Sequence, residues 1–302
     1  MSQARKNKPK VIVILGPTAS GKSDLAIKIA LKFNGQIISA DSRQVYKGLD
    51  IGTGKVTKAE QKLVKHYLLD VCSPKKIFTV VDYQRLAKKA LDKILADGKI
   101  PIICGGTGFY IDTLIYDLKF PEVAPNAKLR KRLEKYSAEK LYQILKKLDP
   151  LRAETIDKKN KRRLIRAIEI IKGGKTISEI KKKSPYQLLK IGIKRSREEL
   201  KKRIIARLDK RLAQGLISEV KNLHRQGLSY KKMEQLGLEY RWVARYLQKK
   251  IDYQQMRQNL INKIYQYSKR QMTWFKRDKQ IHWITSQSEA FQLVKKFLEP
   301  DF

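Results

Sequence analysis

Cysteine, histidine and acidic side chains are all scarce in this chain, and each scarcity removes a class of function. Two of the 302 residues are cysteines, Cys72 and Cys104, far apart and each in apolar surroundings. Without a Cys-x-x-Cys pair there is no basis for a disulfide framework or a zinc site. The three histidines, His66, His224 and His282, lack metal-ligand spacing. Long apolar runs are missing as well: no stretch approaches the roughly 20 residues needed to span a bilayer. The basic start leads into only five apolar residues before Gly16-Pro17, too few for the core of a secretion signal. The expectation is a cytoplasmic chain with no membrane attachment.

The largest deficit is in negative charge. Asp and Glu number 29 against 68 Lys and Arg, a net charge of +39. Such an excess attracts polyanions and speeds encounters with them, which points to nucleic acid or an anionic surface. A lysine-rich, fully solvated surface would give the same total, so charge alone leaves both readings open. A hydrophobic content of 42% is ordinary for a globular protein, and the length allows about two domains.

What is present starts at residue 16. Gly16-Pro17-Thr18-Ala19-Ser20-Gly21-Lys22-Ser23 is a complete phosphate-binding loop. It follows the apolar run Val11 to Leu15 and precedes a helical pattern from Asp24 to Ala30. Strand, glycine-rich turn and helix thus stand in the order the motif requires. Backbone N–H groups turn inward there, the helix N-terminus adds positive partial charge, Lys22 reaches an outer phosphate and the Ser23 hydroxyl suits Mg²⁺. The loop grips a di- or triphosphate without saying which.

Short apolar runs continue to alternate with helical patterns: Gln36 to Ala40, Tyr67 to Val71, a helix from about Val81 to Ala96, then Ile100 to Cys104. This alternation predicts an α/β fold, a P-loop NTPase-like doubly wound parallel sheet whose working edge is the carboxyl ends of its strands. From about Pro121 the pattern turns basic and helical until Leu188 to Ile193, which predicts an inserted all-helical domain. The expected division is 1–120 for the first part of the core, 121–186 for the insertion, and 187–302 for the return to the sheet. That last part holds C-terminal helices to about Lys276 and a short final strand at Ile281 to Ile284. The helix Glu198 to Ala213 carries Leu200, Ile204, Leu208 and Leu212 on one face, with Arg203, Arg207 and Arg211 as a basic stripe beside them.

Two further strand ends carry candidate chemistry. One ends in Asp41-Ser42-Arg43-Gln44-Val45-Tyr46 and puts a carboxylate beside the phosphate loop. By position alone Asp41 is a catalytic base, a metal ligand or a turn cap. The other ends in Gly105-Gly106-Thr107-Gly108-Phe109-Tyr110, where backbone and a hydroxyl can approach a ligand closely.

Several ordered blocks together resemble the tRNA dimethylallyltransferase (IPP transferase) family. They are the phosphate loop, Asp41 to Thr53, His66 to Asp70, Gly105 to Tyr110, Arg162 to Glu169, Gly215 to Val220, and Lys269-Arg-Gln-Met-Thr-Trp274. They span nearly the whole chain, and the Asp41 and Lys269 blocks are the most specific. The resemblance implies transfer of a dimethylallyl group from dimethylallyl diphosphate to the exocyclic amine of the adenosine 3′-adjacent to the anticodon, in a Mg²⁺-dependent monomer. It implies that Asp41 is the general base, that Thr107 contacts the substrate nucleotide, and that Arg207 joins residues 16–23 on the diphosphate, with Ser23 toward the metal. It implies tRNA contacts at Asp41, Ser42, Arg43, Gln44, Thr107, Arg130, Arg162, Arg163, Leu164, Ile165, Arg166, Tyr240 and Arg241, with Tyr46, Tyr110 and Trp274 as packing or base-stacking groups. Transfer to a free adenine nucleotide, and a kinase or ATPase using the same loop, are the alternatives. One departure stands out: in Leu236-Gly-Leu-Glu-Tyr-Arg241, Glu239 occupies a position where the family usually has glycine.

Overall fold

The computed structural model describes residues 8–175 and 183–299. The chain forms two compact units, one of Met1–Asp117 with Lys183–Phe302 and one of Leu118–Lys182.

The first unit opens with β1 (Lys10–Leu15), α1 (Lys22–Lys32), β2 (Gly35–Ser39), α2 (Lys58–Leu63), β3 (His66–Tyr67), α3 (Val80–Ala96), β4 (Ile100–Gly105) and α4 (Gly108–Ile115). The second unit contributes α5 (Ala127–Leu133), α6 (Ala138–Leu148), α7 (Pro150–Thr155) and α8 (Lys161–Lys172). The first unit resumes with β5 (Gln187–Ile193), α9 (Arg197–Ala213), α10 (Leu216–Arg225), α11 (Tyr230–Leu236), α12 (Leu238–Leu247), α13 (Tyr253–Phe275), β6 (Ile281–Ile284) and α14 (Gln287–Leu298).

Six strands form one sheet in the order β3-β2-β4-β1-β5-β6, and every pairing is parallel. The central strand β1 pairs Val13 with Ile103 on one side and with Lys190 on the other. Its alternate residues feed two cores: Val11, Val13 and Leu15 pack with α3 and α4, while Ile12 and Ile14 pack with α1 and α14. A strand covered on both faces needs a continuous apolar run rather than alternation, which is why Val11 to Leu15 has no polar residue. From β1 the chain goes to β2 and β3 on one side, returns to β4 beside β1, and then crosses to β5 and β6 on the other; the crevice at the carboxyl end of β1, where the direction switches, is where a ligand belongs in such a sheet.

β3 is shorter than the sequence suggests. The run Tyr67 to Val71 predicts five strand residues, yet pairing ends at Tyr67 because Leu68 and Asp70 take φ of 65° and 58°. That left-handed turn brings Asp70 to Lys55, whose ammonium also contacts Asp50 and the Tyr46 carbonyl oxygen. Toward the other edge of the sheet a buried lysine of a core strand, Lys190, donates to the Tyr116 hydroxyl (2.8 Å), Asp278 (2.7 Å) and Gln280 (3.1 Å). Without those acceptors its burial would cost several kcal/mol, so a cation in the sheet requires them.

A third core lies among α9 to α13, where Leu200, Ile204 and Leu208 of α9 pack with Val220, Met233, Val243 and Leu260. Among its described residues the second unit has helices as its regular elements and no strand, with its own core of Leu133, Leu141, Leu145, Ala153, Ile156, Leu164, Ile165, Ala167 and Ile168.

Candidate active site

Within the first unit, the carboxyl ends of β1, β2 and β4 open into a cleft of about 980 Å³. Lys22, Asp41, Gly105, Arg203, Arg207, Arg211, Tyr267 and Gln271 line it. The phosphate loop forms one wall. Ala19 takes φ of 62°, unfavourable for a residue with a Cβ, and is fixed by a bond from Arg203 Nε to its carbonyl oxygen (2.8 Å). Arg195 donates to the Ser20 carbonyl oxygen (3.4 Å). The loop's outward carbonyls are thus taken up by arginines. The Ser20 hydroxyl is buried without a hydrogen-bond partner among the described residues.

Lys22 is half-buried and, among the described residues, donates only to the Pro17 carbonyl oxygen (3.2 Å). Burial pushes its pKa down, and the nearby charges of Arg207 and Arg211 push the same way. An anion in the cleft would reverse that shift by supplying the missing counter-charge. Beneath the loop, burial raises the Cys104 thiol to about 12, which leaves it an inert packing group.

Asp41 follows β2. Its Oδ1 accepts from the backbone N–H groups of Arg43 (2.8 Å) and Gln44 (3.4 Å). The turn cap is therefore real, and it fixes the carboxylate while Oδ2 keeps no hydrogen-bond partner among the described residues. Thr107, after β4, accepts from the Ser42 N–H (3.1 Å), and its side chain shares a hydrogen bond with the Tyr267 hydroxyl. Burial, followed by the charge of Asp41, raises the Tyr267 pKa and keeps that hydroxyl protonated. Gln44 accepts from the Ser39 hydroxyl (3.0 Å) and donates to the Gly54 carbonyl oxygen (3.2 Å).

Helix α13 supplies residues that sequence reasoning missed. Gln271 accepts from the Thr18 N–H (2.8 Å) and donates to the Gly106 carbonyl oxygen (2.9 Å), bridging the phosphate loop to the end of β4. A Cβ at Gly106 would lie 2.2 Å from Gln271 Nε2, so the close approach demands glycine. One turn before and one turn after it on the same helix face stand Tyr267 and Trp274, the latter packed over Gly108 and edge-on to Phe109 at 6.2 Å. The conspicuous Lys269 to Trp274 block was the available signal; its partners were not.

The arginine stripe of α9 changes character along its length. Arg203 is exposed, Arg207 half-buried and Arg211 buried. Arg207 makes two long contacts, to Thr18 Oγ1 (3.3 Å) and the Gly54 carbonyl oxygen (3.4 Å). Burial and then the charge of Arg211 lower its pKa to about 10, so it remains a cation at neutral pH. Opposite it, residues 50–54 form a loop held by Glu219, which accepts from the N–H groups of Asp50 (3.0 Å), Ile51 (2.6 Å) and Gly52 (3.1 Å).

Six of the expected tRNA contacts, Leu164, Ile165, Tyr240, Arg130, Arg166 and Arg241, occupy interior or paired positions. Leu164 and Ile165 are core residues of the helical unit and present no surface to a polynucleotide. Tyr240 is buried and donates its hydroxyl to Glu219 (2.9 Å). Glu239, the departure from the family pattern, is buried against Arg211 at 2.9 Å and so offers RNA no contact. Arg130 donates to both carboxylate oxygens of Glu169 (2.8 and 2.6 Å), and Arg166 reaches the same group at 2.5 Å. Burial alone would raise Glu169; the bonds from the two arginines hold it down at about 2. Arg162 and Arg163 are exposed at the start of α8. Arg241 donates to the Glu234 carbonyl oxygen (2.7 Å) and approaches its carboxylate. Tyr46 and Tyr110 are core groups, Tyr110 stacking on Tyr83 at 4.0 Å.

The sequence model of the IPP transferase family matches residues 44–278. A tRNA dimethylallyltransferase of Halothermothrix orenii is 41% identical over 294 residues, covering 94% of this chain and 90% of that one. One from Acetivibrio thermocellus is 43% identical over 284 residues, covering 91% of each. Among solved structures, the full-length tRNA isopentenylpyrophosphate transferase of Bacillus halodurans superposes with a TM-score of 0.73 at 33% identity, over 96% of this chain and 97% of that one. A eukaryotic dimethylallyltransferase acting on tRNA gives a TM-score of 0.81 at 27% identity, over 95% and 77%. A phosphate loop, a capped aspartate and an arginine stripe meet in one cleft of a chain this similar from end to end to those enzymes, and the chain belongs to the IPP transferase family.

Proposed function

We propose that the protein transfers a dimethylallyl group from dimethylallyl diphosphate to the exocyclic amine of the adenosine 3′-adjacent to the anticodon, releasing diphosphate. The observation that carries this reading is the convergence, at one cleft, of a phosphate loop with a carboxylate and a free cation. Asp41, Lys22 and Arg207 all line it. The amine is a weak nucleophile because its lone pair is delocalised into the ring, so the reaction needs a stabilised leaving group and a proton acceptor.

Each requirement has a residue. The C–O bond to the diphosphate breaks as the new N–C bond forms, and negative charge grows on the departing oxygens. Backbone N–H groups of the phosphate loop, Lys22 and Arg207 bind that charge. Asp41 takes the amine proton through the carboxylate oxygen its turn leaves unengaged. Thr107, held by the Ser42 N–H and Tyr267, orients the adenine beside Asp41. Ser42, Arg43 and Gln44 follow Asp41 along the path an extruded base would take.

A Mg²⁺ ion fits this donor set. Ser23 lines the cleft next to Lys22 and supplies a hard oxygen ligand, and Mg²⁺ usually completes its shell with substrate phosphate oxygens and water. When bound, the ion would add positive charge at the leaving diphosphate.

For RNA, exposed Arg162 and Arg163 supply phosphate contacts, and the net charge of +39 favours encounter with a polyanion. In this reading the protein acts as a cytoplasmic monomer, since one chain supplies every side chain named. None of the helices among the described residues is long and apolar enough to cross a membrane. The test is to incubate purified protein with unmodified tRNA and labelled dimethylallyl diphosphate, with AMP as competitor. Label in the adenosine next to the anticodon, undiminished by AMP, is expected. Labelled AMP with unlabelled tRNA would overturn the choice of acceptor.

A further inference from the structure

Two guanidinium groups one helical turn apart face the same cleft, and only one of them is free to meet an anion. Arg211 is bound at 2.9 Å to Glu239 and at 3.2 Å to the Gly52 carbonyl oxygen. Arg207 has no carboxylate partner among the described residues, and its two contacts are long at 3.3 and 3.4 Å. Both converge on one turn: a Cβ at Gly54, where φ is +60°, would sit 1.8 Å from Arg211 Nη2 and 2.2 Å from Arg207 Nη2. Glu239 itself does not line the cleft. It is delivered from the first turn of α12, after a Leu238 held at φ of 38°, a conformation that costs energy for a branched side chain and persists only where packing over-determines it. The next residue, Tyr240, reaches Glu219 and through it the N–H groups of residues 50–52. One turn of α12 thus fixes both the loop that carries Gly54 and the neighbour of Arg207.

We propose that Glu239 is a positioning residue for diphosphate capture: it engages the charge of Arg211, so that Arg207 meets the leaving group with no second unpaired guanidinium one turn further along α9. Two unpaired cations this close would repel each other and offer the diphosphate two competing positions, one of them removed from the phosphate loop. With Arg211 engaged by a carboxylate, Arg207 is the unpaired arginine of the two, and it also touches Thr18 of the loop. A buried carboxylate at 239 is then required by the arginine at 211, and neither is needed without the other.

This inference rests on the reading of the cleft as a diphosphate site. Its test is calorimetric titration of pyrophosphate into native protein, the Glu239→Gln variant and the double variant Arg211→Met, Glu239→Gln, with turnover measured on tRNA and dimethylallyl diphosphate. In Glu239→Gln the freed Arg211 adds a second grip. Pyrophosphate should bind at least about fivefold more tightly while turnover falls about tenfold. The double variant removes both charges and should return both quantities to within about threefold of native. A residue that merely braced the fold would weaken pyrophosphate binding instead, and that result overturns the proposal. So does a Glu239→Gln protein with native affinity and turnover, or a double variant as slow as the single one. Should Glu239→Gln fail to fold, the double variant decides alone: turnover more than about tenfold below native in folded protein is contrary to a purely charge-balancing role. Native protein that binds no pyrophosphate would instead remove the underlying diphosphate reading.

Discussion

In the first unit, the arginines of α9 stand against a phosphate loop, and Arg207 keeps its charge free in the cleft. In the second unit Arg130 and Arg166 close on a single buried carboxylate, Glu169, at 2.6 and 2.5 Å. Helix α8, which carries Arg166, and helix α9 are both basic and both amphipathic, and a sequence reading gives their arginines the same prospects. What separates them is a partner elsewhere in the chain. An arginine with a buried carboxylate has its charge spent on holding the fold, while one facing backbone carbonyls and an open cleft retains it for a ligand. Arg211 shows both situations on one helix, since Glu239 converts a member of the cleft stripe into a paired group.

The comparison can be broken at several points. The largest effect is expected at the cleft. Asp41→Ala should lower turnover by about 100-fold or more with tRNA affinity retained; near-normal turnover would remove Asp41 as proton acceptor. Arg207→Ala should cost about tenfold to 100-fold in kcat/KM for the diphosphate donor and little in tRNA binding. Because the Arg207 pKa is lowered to about 10 and that of Lys22 is also lowered, both cations lose charge at lower pH than free side chains do. The native KM for the donor should therefore climb from about pH 9 upward, which steady-state kinetics would show.

The second unit should respond in stability rather than in chemistry. Glu169→Gln leaves two arginines, each more than a third exposed, without their counter-charge and should destabilise that unit by about 1–2 kcal/mol in denaturant titrations. The carboxylate is held at about 2 against an ordinary 4.5. Its contribution is thus complete above about pH 4.5 and fades as pH falls through the folded value, so the native unit should loosen in acid between those limits. An unchanged midpoint in Glu169→Gln would mean the pair is ornamental. The smallest effect belongs to the exposed arginines. Arg162→Ala or Arg163→Ala should weaken tRNA binding modestly and reduce the salt-dependence slope by about 1, whereas Arg166→Ala should act mainly on stability.

How much of this was legible from sequence follows from distance along the chain. The phosphate loop, Asp41 and Thr107 are strand-end features, set by local order of apolar run, turn and helix. Gln271 was not legible, because its partner Thr18 lies 253 residues away and nothing in either segment announces the other. The same holds for Glu219 and the N–H groups of residues 50–52. The assignment of Leu164 and Ile165 to RNA contact had a contrary signal in plain view: Leu164, Ile165, Ile168 and Ile171 recur at helical spacing and mark the buried stripe of α8. Positive charge nearby drew attention from that period. β3 shows the opposite failure, an apolar run too readily taken for a strand when two left-handed residues cut it short.

The central claim is that the phosphate loop holds a departing diphosphate instead of supplying a phosphate. The stoichiometry of products tests it most directly, with purified protein, unmodified tRNA, labelled dimethylallyl diphosphate and ATP in one mixture. One pyrophosphate released for each dimethylallyl group found on tRNA, with ATP intact, is the expected result. Inorganic phosphate drawn from ATP, with no label on tRNA, would contradict it.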